Sequence, residues 1–280
     1  MPDFDAAVPV VWVDGSLRSA DEPAIAPLDH GLTVGDGVFE TLKVVAGTPF
    51  ALSRHLRRLT RSALGLGLEP PDLDRVRAGV DAVLAAGATD GLQRLRVTLT
   101  AGPGPLGSDR TPGRATVVVA LAAGTTWPAG ASVAVAPWPR NERGPLVGLK
   151  TTSYADNVVA LAWALAHGAD EALLANTVGE LCEGTGSNVF VVLDRQVLTP
   201  RLASGCLAGV TRDLVLEWTE ATEAEIDLVG LYEASEVFLT SSTRDVQAVT
   251  SLDGLPREIG PTTRRIRAEF ARRSAADLDP

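Results

Sequence analysis

Only two residues of this 280-residue chain carry an amine side chain, Lys43 and Lys150; the other 23 of its 25 basic residues are arginine. A guanidinium stays protonated at any relevant pH, whereas an amine can lose its proton and add to a carbonyl. Where arginine meets nearly every need for positive charge, a lysine is a candidate for covalent chemistry. Lys43 sits in TLKVVAG, an alternating stretch before a Gly-Thr turn, and reads as an exposed strand lysine. Lys150 sits in GPLVGLKTTSYADN, where an apolar strand meets a Thr/Ser step, and Tyr154, one of two tyrosines, follows four residues later. Lys150 is the residue that would form a Schiff base.

The segment GELCEGTGSNVFVV adds Glu183, which ends a strand at a Gly-Thr-Gly turn, and Asn188, which opens the next strand. Glu183 reads either as a plain turn former or as a fixed anion accepting a hydrogen bond from a protonated ring nitrogen; pairing it with Lys150 separates the two. Two stretches resemble phosphate cradles, which form where free N–H groups and hydroxyls meet a helix start or strand end. In LAGVTRD, Gly209 admits close approach and Val210 and Thr211 occupy the first helical turn; in LTSSTRD, Ser241, Ser242 and Thr243 offer hydroxyls. Each cluster also reads as an ordinary cap or turn. Arg54, at the head of a helix, is a solvated arginine or a bidentate phosphate clamp. In QRLRVTLT, alternation puts Arg94, Arg96, Thr98 and Thr100 on one face, either in water or lining a cleft where an arginine meets a substrate carboxylate. Gly102, Gly104 and Gly107 match a dinucleotide fingerprint, but Pro103 and Pro105 interrupt it and no helix pattern follows, so a flexible lid fits the loop better.

The elements that must position these groups are short. Residues 8–50 read as strands broken by turns, followed by a helix from Ser53 with Ser53 as N-cap, and a second amphipathic helix after Pro70-Pro71. Residues 92–100 and 114–122 read as strands. Beyond a Pro- and Gly-rich stretch come a helix from Tyr154 to Ala166, four short strands, a helix over Ala208–Ala221, strands EVFLT and DVQAV, and a terminal helix with a fraying end. The pattern is α+β in two α/β-type domains, 1–137 and 149–280, with 138–148 as linker. Composition narrows the partners. A net charge of −10 argues against nucleic acid and anionic membrane. Two cysteines and three scattered histidines supply no disulfide framework and no metal site. Met1–Asp5 is acidic where a secretory leader is basic, and the longest helical apolar run, Val158–Ala166, is nine residues, so a soluble cytoplasmic protein is expected.

Taken in order, GDGVFETLKV, ALSRHLRRL, GLKTTSY, EGTGSNVF, LAGVTRD and FLTSSTRDV resemble the class IV (fold type IV) pyridoxal-phosphate aminotransferases, a family of branched-chain and D-amino acid aminotransferases and aminodeoxychorismate lyases; the resemblance spans nearly the whole chain. It implies a smaller N-terminal and a larger C-terminal domain with pyridoxal 5'-phosphate in the interdomain cleft, in a homodimer. It implies Lys150 as the Schiff-base residue and Glu183 at the pyridine nitrogen. Tyr154 would approach the phenolic oxygen, and Arg54, Val210, Thr211, Ser241 and Ser242 would bind the phosphate, with Arg94, Arg96, Leu32 and Thr243 toward substrate. Departures bear on the substrate. Ala101 stands where D-amino acid enzymes carry an arginine, and Arg94-Leu95-Arg96 replaces the Tyr-x-Arg of branched-chain enzymes. The implied activity is transfer of an amino group between an amino acid or (R)-amine and a 2-oxo acid. The alternatives are a lyase forming 4-aminobenzoate and pyruvate from aminodeoxychorismate, and a binding protein that keeps only the phosphate cradle.

Overall fold

The computed structural model describes residues 9–87 and 91–280; the readings placed on Met1–Asp5 and Val8 lie outside the described residues. The chain divides into two units. Unit 1 runs to Thr126 and takes in Leu149–Ser153 and Leu278–Pro280, whereas unit 2 comprises Trp127–Gly148 and Tyr154–Asp277. This differs from an expected boundary at 137/138 and a linker over 138–148, and strand pairing is the reason. Residues 130–135 are hydrogen-bonded inside the sheet of unit 2, and Arg140 bridges Asn176 there. Thr151 instead pairs with Val38 of unit 1, which draws Lys150 into that unit.

Unit 1 contains β1 (Val10–Val13), β2 (Ser16–Ser19), α1 (His30–Thr33), β3 (Gly37–Val45), β4 (Thr48–Pro49), α2 (Leu52–Gly65), α3 (Leu73–Ala86), β5 (Leu92–Thr100) and β6 (Thr116–Ala123). Its strands form one antiparallel sheet in the order β2-β1-β6-β5-β3-β4. Period-two alternation puts Leu95, Val97 and Leu99 of β5 and Leu42 and Val44 of β3 into a core with Leu56, Leu59 and Ala63 of α2 and Val76, Val80 and Val83 of α3. Arg94, Arg96 and Thr98 take the opposite face of the sheet.

Helix starts divide into one local and one long-range solution. Asp72 caps α3 by accepting from the N–H groups of Asp74 and Arg75. The start of α2 differs from expectation: its N-cap is Ala51, in the left-handed region at φ 55° and without a side-chain cap bond, and Ser53 lies inside the first turn. Asp279 supplies the missing acceptor, taking the Ser53 N–H at 2.8 Å and the Ser53 hydroxyl at 2.5 Å. Lys43 is a second correction. It is 7 % exposed, because its amine packs 4.6 Å from the centroid of the Phe50 ring. The β5–β6 loop expected as a flexible lid is tied down at two points. Arg110 makes a fork on Asp36 at 2.7 Å per arm and donates to the carbonyls of Leu66 and Gly67, and His30 Nε2 lies 2.8 Å from the Pro105 carbonyl.

Unit 2 contains β7 (Gly130–Val135), α4 (Ala155–Ala166), β8 (Glu171–Ala175), β9 (Leu181–Gly184), β10 (Asn188–Leu193), β11 (Gln196–Pro200), α5 (Val210–Trp218), β12 (Thr222–Ala224), α6 (Leu228–Glu233), β13 (Glu236–Ser241), β14 (Asp245–Leu252), β15 (Leu255–Pro256) and α7 (Pro261–Ala276). The sheet order is β12-β11-β10-β13-β14-β7-β8-β9, with β15 on β14. The pairs β11–β12, β14–β7 and β7–β8 are parallel and the rest antiparallel. Phe190 and Phe238, paired across β10 and β13, stack at 4.8 Å. Helix α5 is shorter than the expected 208–221 because Gly209 and Thr219, its caps, are both extended. Among the described residues no helix is long and apolar enough to cross a membrane.

Candidate active site

In unit 1, the backbone of Lys150 is fixed on both sides. Its N–H donates to Ser62 Oγ on α2 at 3.1 Å, and its carbonyl accepts from Phe39 N–H on β3 at 3.0 Å. The amine then sits 4.5 Å from the centroid of the Phe39 ring, and the Arg96 guanidinium lies 3.8 Å from the same centroid. The register explains the grouping: Phe39 pairs with Thr98 and Thr41 with Arg96, so these side chains share one sheet face. Arg94, next along that face, donates to Thr125 Oγ1 at 3.4 Å, while its buried Nε has no hydrogen-bond partner. Leu32, on α1, is 69 % exposed.

A buried ionic cluster lies on the helix side of β3. Glu40 accepts from Arg58 Nε at 2.8 Å and Nη2 at 2.6 Å, and from His55 Nδ1 at 2.6 Å. Burial pushes the Glu40 carboxyl up, but the charge and hydrogen bonds of Arg58, with those of His55, outweigh it and hold the group down to about 2. Burial, the largest single cause, lowers His55 against the raising by Glu40, and the charges of Arg58 and Lys150 add to the net lowering. This trio was not singled out from sequence, though a signal existed: Glu40 has the parity of Val38, Leu42 and Val44, the apolar face of its strand. Arg54 sits one turn before Arg58, and its Nε donates to the Pro280 carbonyl at 2.7 Å. Spaced by four residues, the two arginines share one side of α2.

In unit 2, Glu183 on β9 accepts the Leu207 N–H at 2.9 Å and lies 3.3 Å from Arg140 Nη2. Asn188 donates from Nδ2 to the Leu207 carbonyl at 2.9 Å, so the residues flanking the Gly-Thr-Gly turn grip one peptide segment. The Tyr154 hydroxyl donates to the Thr185 carbonyl at 2.8 Å, and Asn157 Nδ2 donates to the same oxygen at 2.6 Å. Leu207 leads into the N-terminus of α5, where Gly209 is an N-cap without a side-chain cap bond and Val210 and Thr211 are buried. A Cβ on Gly209 would collide with Asn188 Oδ1. Thr240, paired directly with Asn188, has a buried hydroxyl with no hydrogen-bond partner. An uncapped helix start beside an orphaned buried hydroxyl has the donors a phosphate ester requires. Ser241 closes β13, and Ser242 and Thr243 form the turn that follows. Cys182 and Cys206 are free and buried; burial first, then Glu183, pushes both thiols up, Cys206 to about 11, which removes them as nucleophiles near neutral pH.

The geometry thus offers an amine held on a rigid backbone, a fixed carboxylate and a phosphate-type helix start. A family model described as amino-transferase class IV matches residues 37–252. The chain is 31% identical to a putative branched-chain-amino-acid aminotransferase of Methanocaldococcus jannaschii, over 93% of this chain and 94% of that protein. It is 30% identical to a bifunctional aminodeoxychorismate lyase / D-amino acid transaminase of Mycobacterium tuberculosis, over 89% and 93%. A solved structure of a hypothetical aminotransferase from Mycobacterium tuberculosis, in a PLP-bound form, superposes with a TM-score of 0.84 at 26% identity, covering 97% of this chain and 100% of that one. The α+β fold is that of the fold type IV transaminases. With Lys150, Glu183 and the start of α5 all inside the matched region, the chain belongs to the class IV aminotransferases, a family of pyridoxal-phosphate enzymes.

Proposed function

We propose that the chain binds pyridoxal 5'-phosphate and works as a transaminase between an amino acid or (R)-amine and a 2-oxo acid, with Lys150 as its reactive amine. The observation that carries this reading is the fixing of Lys150 through Ser62 and Phe39, with its amine against the Phe39 ring that the Arg96 guanidinium also contacts. The bound cofactor supplies an aldehyde and an electron-accepting pyridinium ring. Lys150, when neutral, would hold the cofactor through its amine and would move the proton at the substrate Cα. Glu183, fixed by Leu207 and Arg140, holds a proton at the ring nitrogen. Tyr154 would approach the phenolic oxygen. Val210 and Thr211, with Ser241 and Ser242, bind the phosphate through the start of α5 and the β13–β14 turn. Arg58 joins Arg54 as an α2 arginine for the same anion, since the two share a helix side. Arg94 and Arg96 orient a substrate carboxylate, with Leu32 and Thr243 bordering the substrate.

The relative that is a lyase as well as a transaminase keeps a second outcome in view, release of 4-aminobenzoate and pyruvate from aminodeoxychorismate. The reading further includes a homodimer in the cytoplasm. The deciding experiment incubates the purified holoenzyme with panels of L-amino acids, D-amino acids and (R)-amines against pyruvate and 2-oxoglutarate. Amino transfer from at least one donor class is expected. No half-reaction with any donor, together with 4-aminobenzoate release, would replace the transaminase by the lyase.

A further inference from the structure

Unit 2 buries an ion pair that the proposed chemistry does not use. Arg244, in the β13–β14 turn, places Nη2 2.7 Å from Glu171 Oε2, at the first residue of β8, and Glu171 is 1 % exposed. The guanidinium also stacks 4.2 Å from the Trp127 ring centroid and reaches Gln247 Oε1 at 3.5 Å. Its backbone N–H closes the turn on the carbonyl and the hydroxyl of Ser241, each at 3.2 Å.

The carboxylate does the opposite work, on the Gly-Thr-Gly turn. Glu171 Oε1 accepts the Thr185 hydroxyl and, at 3.0 Å, the Thr185 N–H, which is shared with the Ala172 carbonyl. Oε2 accepts Ser187 Oγ at 3.4 Å. From Thr185 the network continues. Its carbonyl takes Tyr154 and Asn157, Asn157 Oδ1 accepts Arg140 Nη1 at 3.3 Å, and Arg140 reaches Glu183. A nearly unbroken polar chain therefore links the turn carrying Ser242 and Thr243 with the segment from Glu183 to Asn188.

Stability alone does not account for such a pair, since replacing both members of a buried ion pair by well-packed apolar residues of similar volume is often neutral or stabilising. We propose that Arg244 is a positioning residue: through Glu171 it ties the Ser241–Arg244 turn to the Glu183–Asn188 loop, so that the groups serving the phosphate and the ring nitrogen are held as one piece. The link to cofactor rests on the function proposed above; the tie between turn and loop does not.

The test uses the full-length protein and three variants: Arg244→Lys, Arg244→Met, and Arg244→Met with Glu171→Gln, which removes both charges. Amide exchange over 183–188 is measured on the apo-protein. The dissociation constant for pyridoxal 5'-phosphate and the pH midpoint of its visible absorbance are measured on titration, alongside the thermal midpoint. In the double variant we expect a near wild-type thermal midpoint, faster exchange over 183–188, a displaced pH midpoint and a dissociation constant raised roughly 2- to 100-fold, with Arg244→Lys between it and wild type. Wild-type exchange over 183–188 in the double variant overturns the tie. So does a loss of affinity that merely tracks a loss of thermal stability across the three variants. Wild-type protein that fails to bind pyridoxal 5'-phosphate overturns the functional reading instead, and the apo-protein exchange still decides the tie.

Discussion

An amine is useful as a nucleophile only where its approach to the reacting carbon is repeatable. The two lysines show what creates that condition. Lys43 is buried against Phe50 as a packed stem, whereas Lys150 is held by a side chain of α2 and a backbone amide of β3. Replacing Lys150 by Ala is expected to lower kcat by about 10³ or more, about 4 kcal/mol of barrier, and to abolish the visible absorbance of the bound cofactor. Lys150→Arg should fail equally, because it keeps charge without nucleophilicity; steady-state kinetics and an absorbance spectrum check both. The arginines of α2 should also part company. Arg58→Ala leaves Glu40 buried with half its partners and should cost about 3–5 kcal/mol in denaturant unfolding, whereas Arg54→Ala, at the edge of the helix, should cost under about 1 kcal/mol. Equal losses for the two would contradict this account. Arg54 was legible as a helix-head arginine, but Arg58 was not, because its place turns on the buried Glu40, which spacing along the helix does not reveal.

At the scale of elements, helix starts recur as the working parts. Helix α5 begins without a side-chain cap and with a glycine too close to Asn188 to carry a Cβ. Gly209→Ala is therefore expected to push Asn188 off Leu207 and to weaken pyridoxal 5'-phosphate binding by roughly tenfold, read by titration of the apo-protein. Helix α2 solves the same end problem at long range, through Asp279. Asp279→Ala should destabilise the fold by about 1 kcal/mol, the usual worth of an N-cap, and Asp279→Asn should restore most of it; a denaturation series of the three proteins decides. Sequence reading placed α3 after Pro70-Pro71 without naming its cap, although Asp72 directly precedes the helix. It assigned Ser53 to α2 because the real acceptor lies 226 positions away, outside any local window.

For the molecule as a whole, the Glu40–His55–Arg58 cluster sets the acid limb of stability. The folded His55 value is lowered, so below about 6.5 the unfolded chain takes up a proton that the native state refuses, and stability falls as pH drops through that range. Glu40 is lowered too, to about 2, so its contribution, present above about 4.5, is lost between about 4.5 and 2. Unfolding free energy measured from pH 8 to 4 should decline with a slope of up to about 1.4 kcal/mol per pH unit from His55, and His55→Asn should remove that component below pH 6.5. A slope unchanged in the variant would assign the acid sensitivity elsewhere.

What the chain's letters determined by themselves was local and ordered. Lysine scarcity nominated Lys150 with Lys43 as its competitor, the ordered motifs of the family resemblance singled out Lys150 and Glu183, and alternation, a period that any single segment displays, sorted the faces of β5. Only tertiary structure decided which unit holds Lys150, that Glu40 and Glu171 are buried anchors, and which remote groups, Asp279 and Arg244, complete them. The physical reason is that a hydrogen-bond partner or an opposite charge acts through distance in space. Burial fixes which partner is obligatory, and neither quantity is carried by spacing along the chain.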